Sequence, residues 1–116
     1  ALKVIESEKL PEMGLVIDTF HFFVAGHSAE DLEEIPKEKL WLIHVNDASN
    51  KPMEGLKDSD RVLPGNGVFN LGSFIDSLKN LGYEGWFSLE LFNEEMWRRN
   101  PLRVAKDAMN SLKKIT

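Results

Sequence analysis

The sequence predicts an α/β fold, a parallel sheet covered by helices, on three observations. Apolar runs at 14–23 (GLVIDTFHFF), 40–47 (LWLIHVND) and 86–92 (WFSLELF) alternate with helical patterns. Each run is apolar almost throughout rather than at every second position, as strands buried on both faces require. The intervening segments can hold helices, which are the crossovers that parallel strands need.

Residues 1–13, ALKVIESEKLPEM, are charged and helix-like, and read as the tail of a preceding helix; three βα units then occupy 14–116. In the first run Asp18 and His21 stand three apart, so a regular strand cannot present both on one face. An unpaired buried charge costs more than a local bend, so the strand is expected to end near Thr19, with both groups at one rim. SAEDLEEIP follows as a helix, with Ser28 as N-cap, Asp31 at the capping-box position and Pro36 as its stop. After LWLIHVND comes ASNKPMEGLKDSDRVLPGNG, a polar stretch longer than an ordinary connection and so expected to be functional or disordered. LGSFIDSLKNLGYEG carries Leu71, Phe74, Ile75, Leu78 and Leu81 on one helical face, with Gly82 as the stop. The last helix opens with Asn100 as cap and Pro101 at its first position, and Leu102, Ala105, Met109 and Leu112 are expected inward.

The chain has 116 residues, a net charge of −5 and no cysteine. The acidic balance argues against a nucleic-acid partner. The lack of cysteine excludes disulfide and thiolate chemistry and fits a reducing cytoplasm. No apolar stretch is long enough for a membrane span, and no signal-peptide pattern opens the chain.

Each strand carries one ionisable group in its later part: Asp18, His44 and Glu90. In parallel α/β folds the strands' C-terminal ends lie together, and binding groups gather there. Two carboxylates and an imidazole converging at one end would suit a divalent metal. His21, Asp47 and Arg61 are near enough in sequence to complete such a site. A histidine in an apolar strand is often only a hydrogen-bonded core residue, but an ionised Glu90 or Asp18 is rarely buried without a partner. PGNG, 64–67, reads as a turn before it reads as an anion cradle. Arg61 in a polar loop reads as solvated, His27 as a surface residue, and Trp97 as either a cover for the site or a local packing group.

VIDTFHFF, LIHVNDA, DRVLPGNG and SLELFN, in this order and at these intervals, resemble the last three βα units of the xylose-isomerase-like (β/α)8 TIM barrels. The branch they most resemble holds sugar-phosphate isomerases and epimerases, including inosose isomerase and the ketose 3-epimerases. The resemblance implies that Asp18, His44 and Glu90 are metal ligands, and that His21 and Arg61 contact substrate oxygens. It implies that Glu90 also exchanges a proton with substrate carbon. The implied cofactor is a divalent metal ion, Mn or Zn ahead of Co or Mg, and the implied partner a small sugar or sugar-like substrate, with no nucleic acid and no membrane. A complete barrel has eight strands and typically ~250 residues. The chain is therefore expected to be a C-terminal part, inactive alone, whose remaining strands come from upstream chain or from other copies in a homo-oligomer.

Two other readings stand beside this one. The endonuclease IV family of abasic-site nucleases is similar in its DT-x-H and H-x-ND segments and in a DR segment before a glycine-rich turn. There a histidine follows the arginine, whereas Val62 follows Arg61 here and cannot ligate a metal. The third reading is a non-catalytic remnant or assembly module whose polar rim is structural.

Overall fold

The computed structural model describes residues 1–116. After a short helix α1 (Leu2–Ser7), strand β1 (Leu15–Asp18) passes directly into helix α2 (Thr19–Val24). Strand β2 (Leu40–Val45) follows, then a two-residue strand β3 (Asp47–Ala48), which pairs with β4 (Arg61–Val62). Helix α3 (Leu71–Asn80), strand β5 (Trp86–Leu89), the one-turn α4 (Glu94–Trp97) and α5 (Pro101–Ile115) complete the chain. β1, β2 and β5 form one parallel sheet with β2 in the middle.

Register fixes which residues share a face. Val16, Leu42 and Trp86 are aligned across the sheet, as are Asp18, His44 and Ser88. On the opposite face Ile43 and Val45 are fully buried against Leu32, Phe74, Ile75 and Leu78. Burying each of those side chains contributes about 1.5–3 kcal/mol. Helices thus cover one face only. On the other, Val16 and Trp86 are 55% and 82% exposed.

The strand-to-helix passage in GLVIDTFHFF is as abrupt as the sequence requires. Asp18 is the last residue of β1 and also the N-cap of α2, its carboxylate accepting from the backbone N–H of Phe20 and His21. Its side chain occupies two of the donors that a helix start leaves open. α3 buries Leu71, Phe74, Ile75 and Leu78, and Gly82 follows it with φ +71°, a conformation that favours glycine.

Two expectations need correction, and an open one is decided. SAEDLEEIP forms a 3-10 segment over Ala29–Glu34, although the Asp31 carboxylate does accept from the Ser28 N–H. The polar stretch after β2 is ordered: 3-10 turns at Met53–Gly55 and Asp58–Asp60 fold it back so that β4 can pair antiparallel with β3. On α5, Leu102 and Met109 are 81% and 53% exposed, and Ala105 is exposed too. Leu112 faces the core as expected, joined by Ser111 and Ile115. Both rows of this helix carry apolar residues, so periodicity alone does not choose between them.

Candidate metal centre

Asp18, His44 and Glu90 come together at the C-terminal end of the sheet, on the face that the helices leave open. One ligating atom from each lies within 4.8 Å of the others. His44 Nδ1 is 3.2 Å from Glu90 Oε2 and 3.9 Å from Asp18 Oδ2. Metal–ligand bonds of about 2.1 Å in a tetrahedron put neighbouring donor atoms about 3.4 Å apart, so these spacings suit one shared ion. The donors are two carboxylates and an imidazole, which fits divalent Mn, Co or Zn. Glu90 reaches this end because its backbone N–H still meets Val45 O at 3.4 Å, one residue past β5.

Arg61 stands behind the cluster. It is 1% exposed and heads the fully buried side chains by size. Its Nη1 donates to Asp18 Oδ2 at 2.7 Å and lies 3.7 Å from Glu90 Oε2. On its other edge, Nε and Nη2 both reach Asp58 Oδ1, at 3.1 and 2.6 Å. The rings of Phe20 and Phe92 lie 4.8 and 5.1 Å from the guanidinium carbon, close enough for cation–π attraction. His21, itself exposed, places Nε2 3.2 Å from Arg61 Nη2.

Arg61 also sets the charge state of Asp18. Burial disfavours the ionised carboxylate, but Arg61, by hydrogen bond and by charge, outweighs it, helped by the Asn46 amide and the His21 backbone N–H. The Asp18 carboxyl is held below the ordinary aspartate value. An ionised Asp18 at neutral pH is what a cation requires.

A buried network fixes Asp18 from beneath. Thr19 Oγ1 donates to Asn46 O at 2.7 Å and accepts from Asn46 N–H at 2.9 Å. Asn46 Nδ2 then donates to Asp18 Oδ1 at 3.3 Å. Both Thr19 and Asn46 are fully buried. The pair ties the end of β2 to the start of α2, and so sets the Asp18–His44 separation.

Asp47 does not join the cluster. Its carboxylate accepts from four backbone N–H groups: Ala48, Gly65, Gly67 and Phe69, at 2.9–3.1 Å. PGNG is therefore an anion cradle, and its anion is the protein's own side chain. Gly67 must be glycine for this, because a Cβ there would lie 2.2 Å from Ala48 O and 2.4 Å from Asp47 Oδ1.

The structure brings together all five residues singled out from sequence: Asp18, His44, Glu90, His21 and Arg61. It corrects two readings, since Arg61 is buried rather than solvated and Asp47 is structural. Trp97 is 64% exposed, and His27 is an exposed partner of Asp31. Sequence reasoning missed Thr19, Asn46, Asp58 and Asn93, whose Nδ2 donates to the Arg61 backbone carbonyl. The pairs Asp18–Thr19 and Asn46–Asp47 were a weak signal for the first two, as short polar residues at strand ends commonly bond to backbone.

A parallel α/β sheet whose ligating groups gather beyond the strands' C-terminal ends has the layout of the active end of a (β/α)8 barrel. A family model described as xylose isomerase-like TIM barrel matches residues 1–115. The chain belongs to that family. It is 36% identical over 110 residues to inosose isomerase of Halalkalibacterium halodurans, which covers 92% of this chain and 39% of that enzyme. It is 34% identical to 3-dehydroshikimate dehydratase of Pseudomonas aeruginosa over 86% of this chain and 16% of the dehydratase. Among solved structures, the IolI protein with a bound zinc atom superposes with a TM-score of 0.90 at 28% identity, over 97% of this chain and 41% of that one. The chain thus spans well under half the length of these relatives.

Proposed function

We propose that the protein carrying this chain is a divalent-metal-dependent isomerase or epimerase of sugar-like or cyclitol ketones, and that the chain forms the last three βα units of its barrel. Asp18, His44 and Glu90 would hold the ion, zinc or manganese. The observation that carries this reading is the convergence of three ligating atoms within 4.8 Å at matching strand ends. The inosose isomerase relatives and the zinc-bound IolI structure support it.

When bound, the divalent ion supplies positive charge against the negative charge that develops on the substrate oxygens. Glu90, beside His44, takes the proton from the carbon next to the carbonyl. That C–H electron pair becomes a C=C bond, and the carbonyl oxygen takes up the negative charge. Passage of the adjacent hydroxyl's proton to that oxygen and return of the carbon proton to the former carbonyl carbon gives isomerisation, whereas reprotonation of the original carbon from the opposite face, by a second acid, gives epimerisation. Arg61 and His21, which meet beside the cluster, would contact substrate oxygens.

The PGNG amides are filled by Asp47, and the first amides of α4 by the Asn93 side chain, so neither is free for a phosphate. The abasic-nuclease reading lacks its extra ligand, since Val62 offers no donor atom.

The test is solvent-deuterium exchange into an inosose, followed by NMR, with and without chelator. The expected result is exchange next to the carbonyl that stops when metal is removed and returns with zinc or manganese. An absence of exchange in metal-loaded protein would contradict the reading.

A further inference from the structure

The donors of Arg61 can be accounted for one by one. A guanidinium has five N–H groups. Nε–H and one Nη2–H go to Asp58 Oδ1, the second Nη2–H faces His21 Nε2, and one Nη1–H goes to Asp18 Oδ2. The remaining Nη1–H has no hydrogen-bond partner, Nη1 lying 3.7 Å from Glu90 Oε2, beyond hydrogen-bond range. The arginine therefore keeps one unpaired donor, on the same nitrogen that holds Asp18.

Two residues hold Arg61 in this pose without touching the cluster. Asp58 is 56% exposed at its side chain, yet it takes the whole Nε–Nη2 edge. The turn that carries it does not depend on it, being closed by Asp60, which accepts from Lys57 N–H and pairs with Lys51 Nζ. Asn93 divides its amide between two tasks. Its Oδ1 caps α4, accepting from Glu95 and Met96 N–H, while its Nδ2 donates to the backbone carbonyl of Arg61 at 3.0 Å. It stands three residues after Glu90, so it links the proposed base to the arginine.

We propose that Asp58 and Asn93 are positioning residues that clamp Arg61, one at its guanidinium edge and one at its backbone, so that the free Nη1–H points at a substrate oxygen beside Glu90. Without Asp58 the buried cation keeps Asp18 as its one short carboxylate partner and turns further onto that ligand. The inference rests on the function proposed above for the site, but its test does not depend on turnover alone.

The experiment compares wild type with Asp58→Asn, Asn93→Asp and, as a control on the same turn, Ser59→Ala. Asp58→Asn keeps shape and an acceptor but loses charge. Asn93→Asp keeps the cap on α4 but replaces the donor facing Arg61 O by an acceptor. With an inosose and zinc, both are expected to raise KM about tenfold with melting temperature little changed, as loss of one charge-assisted contact would. Ser59→Ala should match wild type. The second readout is the Arg61 Nε–H signal in a proton–nitrogen spectrum, assigned by its loss in Arg61→Lys. It should be slow to exchange in wild type and fast in Asp58→Ala. If wild type turns over no polyol ketone, the function fails while this signal still decides the clamp. Unchanged KM in both variants, or an Nε–H signal equally protected in Asp58→Ala, would overturn the proposal.

Discussion

Asp18 and Asp47 invite comparison. Asp18 closes β1 and Asp47 opens β3, both are largely buried, and both collect several hydrogen bonds. Asp47 is enclosed by four backbone N–H groups, which leave its oxygens no open direction. Asp18 takes two amides on Oδ1, and its Oδ2 is turned to Arg61 and toward His44. The first arrangement holds a loop in place, while the second holds a charge where a cation can share it. What distinguishes a structural carboxylate from a ligating one here is the identity of its partners rather than its depth.

Four substitutions separate the two roles, in order of decreasing effect. Glu90→Gln should lower deuterium exchange into an inosose by about a thousandfold, because the base is lost, while circular dichroism stays unchanged. A variant that keeps near-normal exchange would remove Glu90 from the chemistry. Asp47→Ala should act in the opposite sense, destabilising the fold by about 3 kcal/mol in urea unfolding, since four N–H groups lose their acceptor. Thr19→Val keeps the shape and deletes the hydroxyl, and should cost about 1–2 kcal/mol by leaving Asn46 N–H unpaired.

The smallest effect concerns acid. The folded-state pKa of Asp18 lies below its ordinary value of 3.8, so ionised Asp18 stabilises the fold above that value. This contribution is lost as pH falls through the lowered folded value. In metal-free protein, Asp18→Asn should therefore flatten the loss of stability below about pH 4 relative to wild type. An identical acid limb in the two proteins would show that Arg61 does not favour the ionised form.

Much of this was legible in the sequence, and for a physical reason. The strands are continuous apolar runs, so an ionisable residue near the end of each stands out, and Asp18, His44 and Glu90 did. The bend after Asp18 followed from the cost of leaving a charge in the core. Other features depend on contacts distant in sequence. The amides that enclose Asp47 come mostly from residues 18–22 positions further on. Arg61 lies among Asp, Lys, Gly and Pro, a composition that reads as solvated, and only the β3–β4 pairing carries it inside. On α5, Leu102 and Met109 met the helical period as well as Ser111 and Ile115 did, and only the packing separates the two rows.

The most direct test of the central claim is calorimetric titration of zinc into the metal-stripped protein, comparing wild type with Asp18→Asn and Asp47→Asn. Circular dichroism would establish that each variant is folded at the temperature used. Wild type should bind one zinc per chain, Asp18→Asn should bind it more than about a hundredfold more weakly, and Asp47→Asn should keep near-normal affinity. Wild-type affinity in folded Asp18→Asn, or loss of binding in folded Asp47→Asn, would contradict that claim.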